Sequence, residues 1–121
     1  MDLELTPLRG LAELEQVITD SHVQPVLLFK HSHTCGISAE ALDELRSHLD
    51  GWGNGPAPVR YAMVTVQTHR DVSNAIAAKL GVRHETPQAI LIRGGRAVWS
   101  ASHFRVNAAE LAKALTAEPT N

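Results

Sequence analysis

Pro25-Val26-Leu27-Leu28-Phe29-Lys30-His31 is followed, after Ser32-His33-Thr34, by Cys35-Gly36-Ile37-Ser38. The first stretch is an almost unbroken apolar run of strand length. It lacks the polar alternation of a half-exposed strand and suits a strand covered on both faces. From Ile37 the period changes. Ile37, Ala41, Leu42, Leu45 and Leu49 share one helical face, and Glu40, Asp43, Glu44 and Ser47 take the other. A buried strand therefore carries a cysteine to the start of an amphipathic helix. That strand-end, helix-start corner is where α/β proteins present ligands and reactive groups.

The alternation of periods continues on both sides. Upstream, Leu11, Leu14 and Ile18 predict a helix over about residues 8–21, and Leu3 to Thr6 adds a short edge strand. Downstream, Val59 to Val66 reads as a second buried strand. Val72, Ile76 and Leu80 mark a third helix, closed by Gly81 where a left-handed stop costs little. Gln88 to Ile92 and Arg96 to Ser100 flank Arg93-Gly94-Gly95, a hairpin signal. Asn107 and Glu110 have the spacing of a capping box ahead of a last Ala/Leu helix. Gly51 to Pro58 reads as an open connection and Ala117 to Asn121 as a frayed end. The expected order is (β)αβαβαββα. Strands joined by helices are expected to run parallel and the final hairpin antiparallel. The fold class is α/β, a mixed central sheet with helices on both faces, in one domain over residues 1–121.

Composition narrows the function. Eleven Lys and Arg against 13 Asp and Glu leave a net charge of −2 over 121 residues, which removes the electrostatic motive for binding nucleic acid. No basic block suggests a membrane surface, and no apolar run approaches the ~18–20 residues that span a bilayer. Met1-Asp2-Leu3-Glu4 lacks the basic and apolar regions of a signal peptide. A single cysteine, Cys35, forbids an intrachain disulfide. These features point to a cytoplasmic protein without nucleic-acid or membrane partners, whose thiol acts on something outside the chain.

As the residue preceding a helix, Cys35 would set its sulfur against the free N–H groups of Ile37 and Ser38 and the positive end of the helix dipole. Both favour thiolate over thiol, and such corners bring a cysteine from about 8.5 down to roughly 3.5–7.5. His31 and His33, at alternate positions before it, are expected to add positive charge as imidazolium. Ser38 lies one helical turn beyond, where its hydroxyl donates to the sulfur or caps the helix. Gly36 supplies a backbone N–H that proline would not. Reading His31, His33 and Cys35 as a metal cluster is weaker, because structural zinc takes four ligands and none nearby supplies the fourth.

These residues carry a family resemblance. Cys35-Gly36-Ile37-Ser38 is a Cys-x-x-Ser version of the Cys-x-x-Cys corner of thioredoxin-like proteins. Thr86-Pro87 falls where that fold carries its cis-proline loop. Lys30-His31-Ser32-His33-Thr34-Cys35-Gly36-Ile37-Ser38 resembles the Lys-His-Ser-x-x-Cys-Pro-Ile-Ser signature of the monothiol bacilliredoxins of the bacillithiol system, the YtxJ family. Val72 to Ala77, Gly81 to Ile92, and Trp99-Ser100-Ala101-Ser102-His103 resemble that family too. Gly36 stands where the family carries proline, and Thr86 where serine is commoner.

The resemblance implies a thioredoxin-like fold and a cytoplasmic thiol–disulfide oxidoreductase. Bacillithiol is then the co-substrate, with no bound cofactor or metal. The partners implied are bacillithiolated client proteins, a low-molecular-weight thiol and a partner redoxin. In that scheme Cys35 is the nucleophile, and Gly36, Ile37, Ser38, His33 and His31 surround it. Thr86 and Pro87 present backbone to the substrate. Ser38 does not attack a disulfide, so the resolving thiol comes from solution.

Two other functions compete. One is a monothiol glutaredoxin-like carrier of an iron–sulfur cluster, against which stand Ile37 in place of that type's Phe and Arg96 after Gly94-Gly95 in place of an acidic residue. The other is a thioredoxin-fold sensor whose cysteine is modified without turnover.

Overall fold

A strand covered on both faces belongs in the middle of a sheet, and the Val26 to His31 run lies there. The computed structural model describes residues 5–34, 36–52 and 59–116. Its elements are β1 (Leu5–Pro7), α1 (Leu11–Asp20), β2 (Val26–His31), α2 (Gly36–Trp52), β3 (Arg60–Thr65), α3 (Arg70–Leu80), β4 (Gln88–Arg93), β5 (Arg96–Ser102), a 3-10 turn at His103–Arg105 and α4 (Ala108–Thr116). The sheet order is β1-β3-β2-β4-β5. β1, β3 and β2 are parallel, and β4 and β5 are antiparallel to their neighbours.

The pleat of β2 divides the core in two. Val26 and Leu28 pack with Leu14 and Val17 of α1 and Val72 and Ile76 of α3. Leu27 and Phe29 pack with Ala41 and Leu45 of α2 and Leu111 and Leu115 of α4. Alternate residues of one strand point to opposite faces, so α1 and α3 cover one side and α2 and α4 the other. The fold is thus α/β with a mixed sheet between two helix layers.

Local signals end most elements as expected. Gly81 adopts φ 65° and stops α3. Gly94 and Gly95, at φ 59° and 77°, form the two-residue hairpin turn that needs positive φ twice. Asn107 Oδ1 accepts from Glu110 N at 2.9 Å and caps α4.

Two expectations are corrected. α2 does not stop before Gly51 but runs through Gly51 and Trp52. Residues 53–58, like Leu3, Glu4 and the tail from Ala117, lie outside the described residues. The second correction concerns direction. β3 and β4 are joined through α3, yet β4 runs antiparallel to β2, with Lys30 opposite Gln88 and Val26 opposite Ile92. The cause is the connection after α3. Eleven helical residues advance about 16 Å, and the six residues Val82 to Pro87, when extended, span up to about 20 Å. The segment therefore reverses the helix's travel, and the chain enters β4 at the end of the sheet where it left β3. This reversal brings Thr86-Pro87 to the end of β2.

Candidate functional site

Three pieces of chain meet beyond His31: the segment Ser32 to Thr34 leading into α2, the Thr86-Pro87 segment leading into β4, and the turn after β5. Cys35, the expected nucleophile, lies outside the described residues. It follows Thr34 and precedes Gly36, the first residue of α2, and both of these neighbours are exposed.

Ser38 is completely buried, and its partners are on β2. Ser32 N donates to Ser38 Oγ at 2.9 Å, and Ser38 Oγ shares a second hydrogen bond with His31 Nδ1, also at 2.9 Å. These two bonds form a clamp that fastens the first turn of α2 to the strand end; the expected donation to sulfur involves Cys35 and lies outside the described residues. His31 also rests on Phe29, with ring centroids 5.9 Å apart.

The segment before Cys35 is held from outside by a residue that the sequence did not single out. Gln67, in the turn after β3, donates from Nε2 to Ser32 Oγ at 2.6 Å and to Thr34 Oγ1 at 3.1 Å. Its Oε1 accepts from His33 N at 3.3 Å. One amide thus engages three consecutive residues leading into Cys35. Its partners lie more than thirty positions away, and nothing local in Val66-Gln67-Thr68 signals it.

The Thr86-Pro87 peptide bond is cis. Pro87 O accepts from His103 N at 2.9 Å, which ties the turn after β5 to this segment. His103 sits at φ 57°, a region few residues other than glycine occupy. Among the described residues, neither the N–H nor the C=O of Thr86 has a hydrogen-bond partner. An unpaired backbone unit at a strand end leaves a donor and an acceptor free to pair with another chain.

The charge distribution differs from the expected one. His31 is held below the ordinary histidine value, first by burial and then by repulsion from His33 and Arg46. It is therefore neutral near pH 7 and supplies no imidazolium. A buried cation exists nearby instead. Lys30 is 0% exposed and donates from Nζ to His84 Nδ1 at 3.2 Å. The signal was a single charged residue inside an otherwise apolar strand.

His31, His48 and His84 all lie below the usual 6.5, each first through burial. An unfolded chain carries ordinary histidines and takes up protons the folded chain refuses. Stability is therefore fully present above about pH 6.5 and is lost as pH falls below it. Thermal midpoints should drop between about pH 7 and 5. A constant midpoint over that range would contradict rings that the fold holds neutral.

Among the described residues, no group of three or more His, Cys, Asp or Glu is arranged to hold a metal, and no helix is long and apolar enough to cross a membrane.

The fold and the corner define a thioredoxin-like thiol–disulfide oxidoreductase. A solved structure described as a candidate oxidoreductase with a thioredoxin fold superposes with a TM-score of 0.80 at 35% identity, covering 91% of this chain and 92% of that one. Thioredoxins of Fasciola hepatica (TM-score 0.70, 20% identity, 93% of this chain and 97% of that chain) and Trypanosoma brucei brucei (0.72, 13%, 95% and 90%) share the fold. The family model described as monothiol bacilliredoxin BrxC matches residues 6–111. The chain belongs to the monothiol bacilliredoxin family, and its function is thiol redox chemistry.

Proposed function

We propose that this protein removes bacillithiol from mixed disulfides on client proteins, in the cytoplasm, with Cys35 as nucleophile. The Cys35 thiolate attacks the bacillithiol sulfur. The client thiolate leaves, and Cys35 is left disulfide-bonded to bacillithiol. A second thiolate from solution, free bacillithiol or the thiol of a partner redoxin, then attacks that bacillithiol sulfur. It releases the Cys35 thiolate and carries away a new disulfide. Sulfur–sulfur bonds are exchanged in both steps, and no net electrons are gained or lost by the client and protein together in the first.

The observation that carries this reading is Ser38. It occupies the position of a resolving cysteine in a chain that has one thiol, and its hydroxyl is buried against His31 and Ser32. The unpaired backbone of Thr86 supports a role in receiving the client or the thiol's peptide-like arm, and Pro87 fixes its approach. Gly36, Ile37 and His33 frame the sulfur in this reading, while His31 acts as a neutral anchor for Ser38.

Intact mass after exposure to oxidised bacillithiol, and separately to oxidised glutathione, tests the reading. A single adduct at Cys35 with the first and little with the second is expected. With a bacillithiolated client and excess thiol, many clients should be restored per protein. One restored client per protein, or equal labelling by both disulfides, would overturn it.

A further inference from the structure

Ile37, Glu40 and Glu44 follow one another along a single stripe of α2, and that stripe borders the turn His103–Arg105. Between them lies a half-open groove of about 160 Å³, completed from the turn by His103, Phe104 and Asn107. The turn is firmly held. His103 N donates to Pro87 O at 2.9 Å, Val106 N to His103 O at 3.2 Å, and Asn107 Nδ2 to Phe104 O at 3.3 Å. His103 makes the turn at φ 57°, and a residue other than glycine persists there only where its surroundings impose it. The result is a phenyl ring, Phe104, that is 68% exposed beside the groove. Little freedom is lost when a partner meets a ring carried on backbone already ordered.

A cavity of about 150 Å³ accepts a benzene-sized group, so this groove takes one side chain. Its chemistry is divided. Ile37 and Phe104 supply apolar contact, and Glu40 and Glu44 supply carboxylates. Glu44 Oε1 already accepts from Ala108 N at 3.1 Å. Glu40 has no hydrogen bond or ion pair among the described residues. Against the two carboxylates stands one imidazole, His103; among the described residues Arg105 does not line the groove. An apolar lining with a free carboxylate matches a side chain that has an aliphatic stem and a cationic end. A guanidinium also stacks on an aromatic face. The groove begins two positions beyond Cys35, at Ile37, and the His103–Pro87 hydrogen bond joins its other wall to the Thr86-Pro87 segment.

We propose that this groove is a specificity subsite for an arginine or lysine of the client polypeptide, with the stem against Ile37 and Phe104 and the cation against Glu40. The proposal rests on the reading of the protein as acting on bacillithiolated clients. It adds which clients are favoured: those with a basic residue near the modified cysteine. Contacts of this kind are made equally before and during sulfur exchange, so they lower KM and leave kcat as it is. Glu40 and Phe104 are thus specificity-determining residues that take no part in the exchange itself.

Two synthetic peptides test this. They are identical in length, and each carries one bacillithiolated cysteine, flanked by arginines in one and by glutamates in the other. At low salt the wild type should restore the arginine peptide with a kcat/KM about 3- to 20-fold higher. The difference should lie in KM and shrink as salt screens the carboxylates. Both peptides meet the same nucleophile, so their ratio isolates the groove. Glu40→Gln should cut that ratio about 3-fold and Phe104→Ser about 2- to 5-fold; both positions are exposed, and folding is preserved. Asp71→Asn removes the same charge from α3, on the other side of the sheet, and should keep the wild-type ratio. The same peptides with serine in place of cysteine, labelled for fluorescence anisotropy, read binding without chemistry and should show the same order of affinities. Equal kcat/KM and equal binding for the two peptides, or a preference that Glu40→Gln and Asp71→Asn reduce alike, overturns the subsite and leaves the function standing. Preferred binding of the arginine peptide without restoration of either one keeps the subsite and overturns the function.

Discussion

Ser38→Cys is expected to turn a protein that holds a bacillithiol adduct into one that expels it. Under the proposed function, the mixed disulfide on Cys35 in the wild type would wait for a thiol from solution, because a hydroxyl does not attack sulfur at neutral pH. The substitution restores Cys-x-x-Cys spacing, with sulfur in place of a nearly isosteric oxygen. Attack on Cys35 by the new thiolate would release bacillithiol and close a disulfide between positions 35 and 38. After oxidised bacillithiol, intact mass should change from a nearly complete adduct to the loss of two hydrogens. The exchange is then silent until a dithiol reductant is supplied. The cost to folding is modest, since sulfur is a weak acceptor and the Ser32 N–H and His31 Nδ1 each lose a good partner, about 1–3 kcal/mol together. Cys35→Ser is the companion measurement and should leave exchange at the uncatalysed background. A persistent adduct in folded Ser38→Cys would show that position 38, turned toward β2, does not reach its neighbour. The monothiol character would then follow from geometry as well as from residue type.

What the sequence made legible follows from how local each cause is. β2 and α2 were readable because the period changes from a continuous run to a helical stripe within a few residues. The stop at Gly81, the Gly94-Gly95 turn and the Asn107 cap each rest on the chemistry of one or two positions. The direction of β4 was not readable, because it depends on how far Val82 to Pro87 extends relative to the length of α3. The state of His31 was missed for a similar reason. Its position beside Cys35 is visible in the sequence, but its burial and its contact with Ser38 depend on how α2 packs. Gln67 and Thr34 are distant in sequence and adjacent in space, so no periodicity links them. Lys30, Ser73, His84 and Gln88 all fall inside the stretches that resemble the family, yet only the fold reveals that they form one cluster. The family was legible because its motifs are contiguous. The charge arrangement was not, because it is assembled across β2, α3 and the segment before β4.

The largest effect on stability is expected from Phe29→Ala, and its location predicts a functional consequence that an equal loss elsewhere would not have. Phe29 is fully buried at the centre of the sheet and packs in the cluster with Ala41 and Leu45 of α2. Removing such a ring from a core costs about 3–5 kcal/mol, transfer and cavity together. A domain of this size is stable by only about 5–15 kcal/mol, so the urea midpoint should fall steeply at an unchanged m-value. Leu14→Ala, also at 0% exposure but in the α1/α3 cluster, should cost a similar 2–5 kcal/mol. The two differ in what the cavity adjoins. Phe29 supports His31, which shares the hydrogen bond that fastens Ser38 and the first turn of α2. Leu14 supports the back of α1. Measured where both variants are still folded, exchange by Leu14→Ala should match the wild type, while Phe29→Ala should be slower per folded molecule. Phe29→Leu, which keeps most of the volume, should recover much of both properties. Equal exchange rates in Phe29→Ala and Leu14→Ala would mean that the Phe29–His31–Ser38 stack carries stability alone, and that the placement of α2 at Cys35 is set from its other side, through Gln67 and the segment it holds.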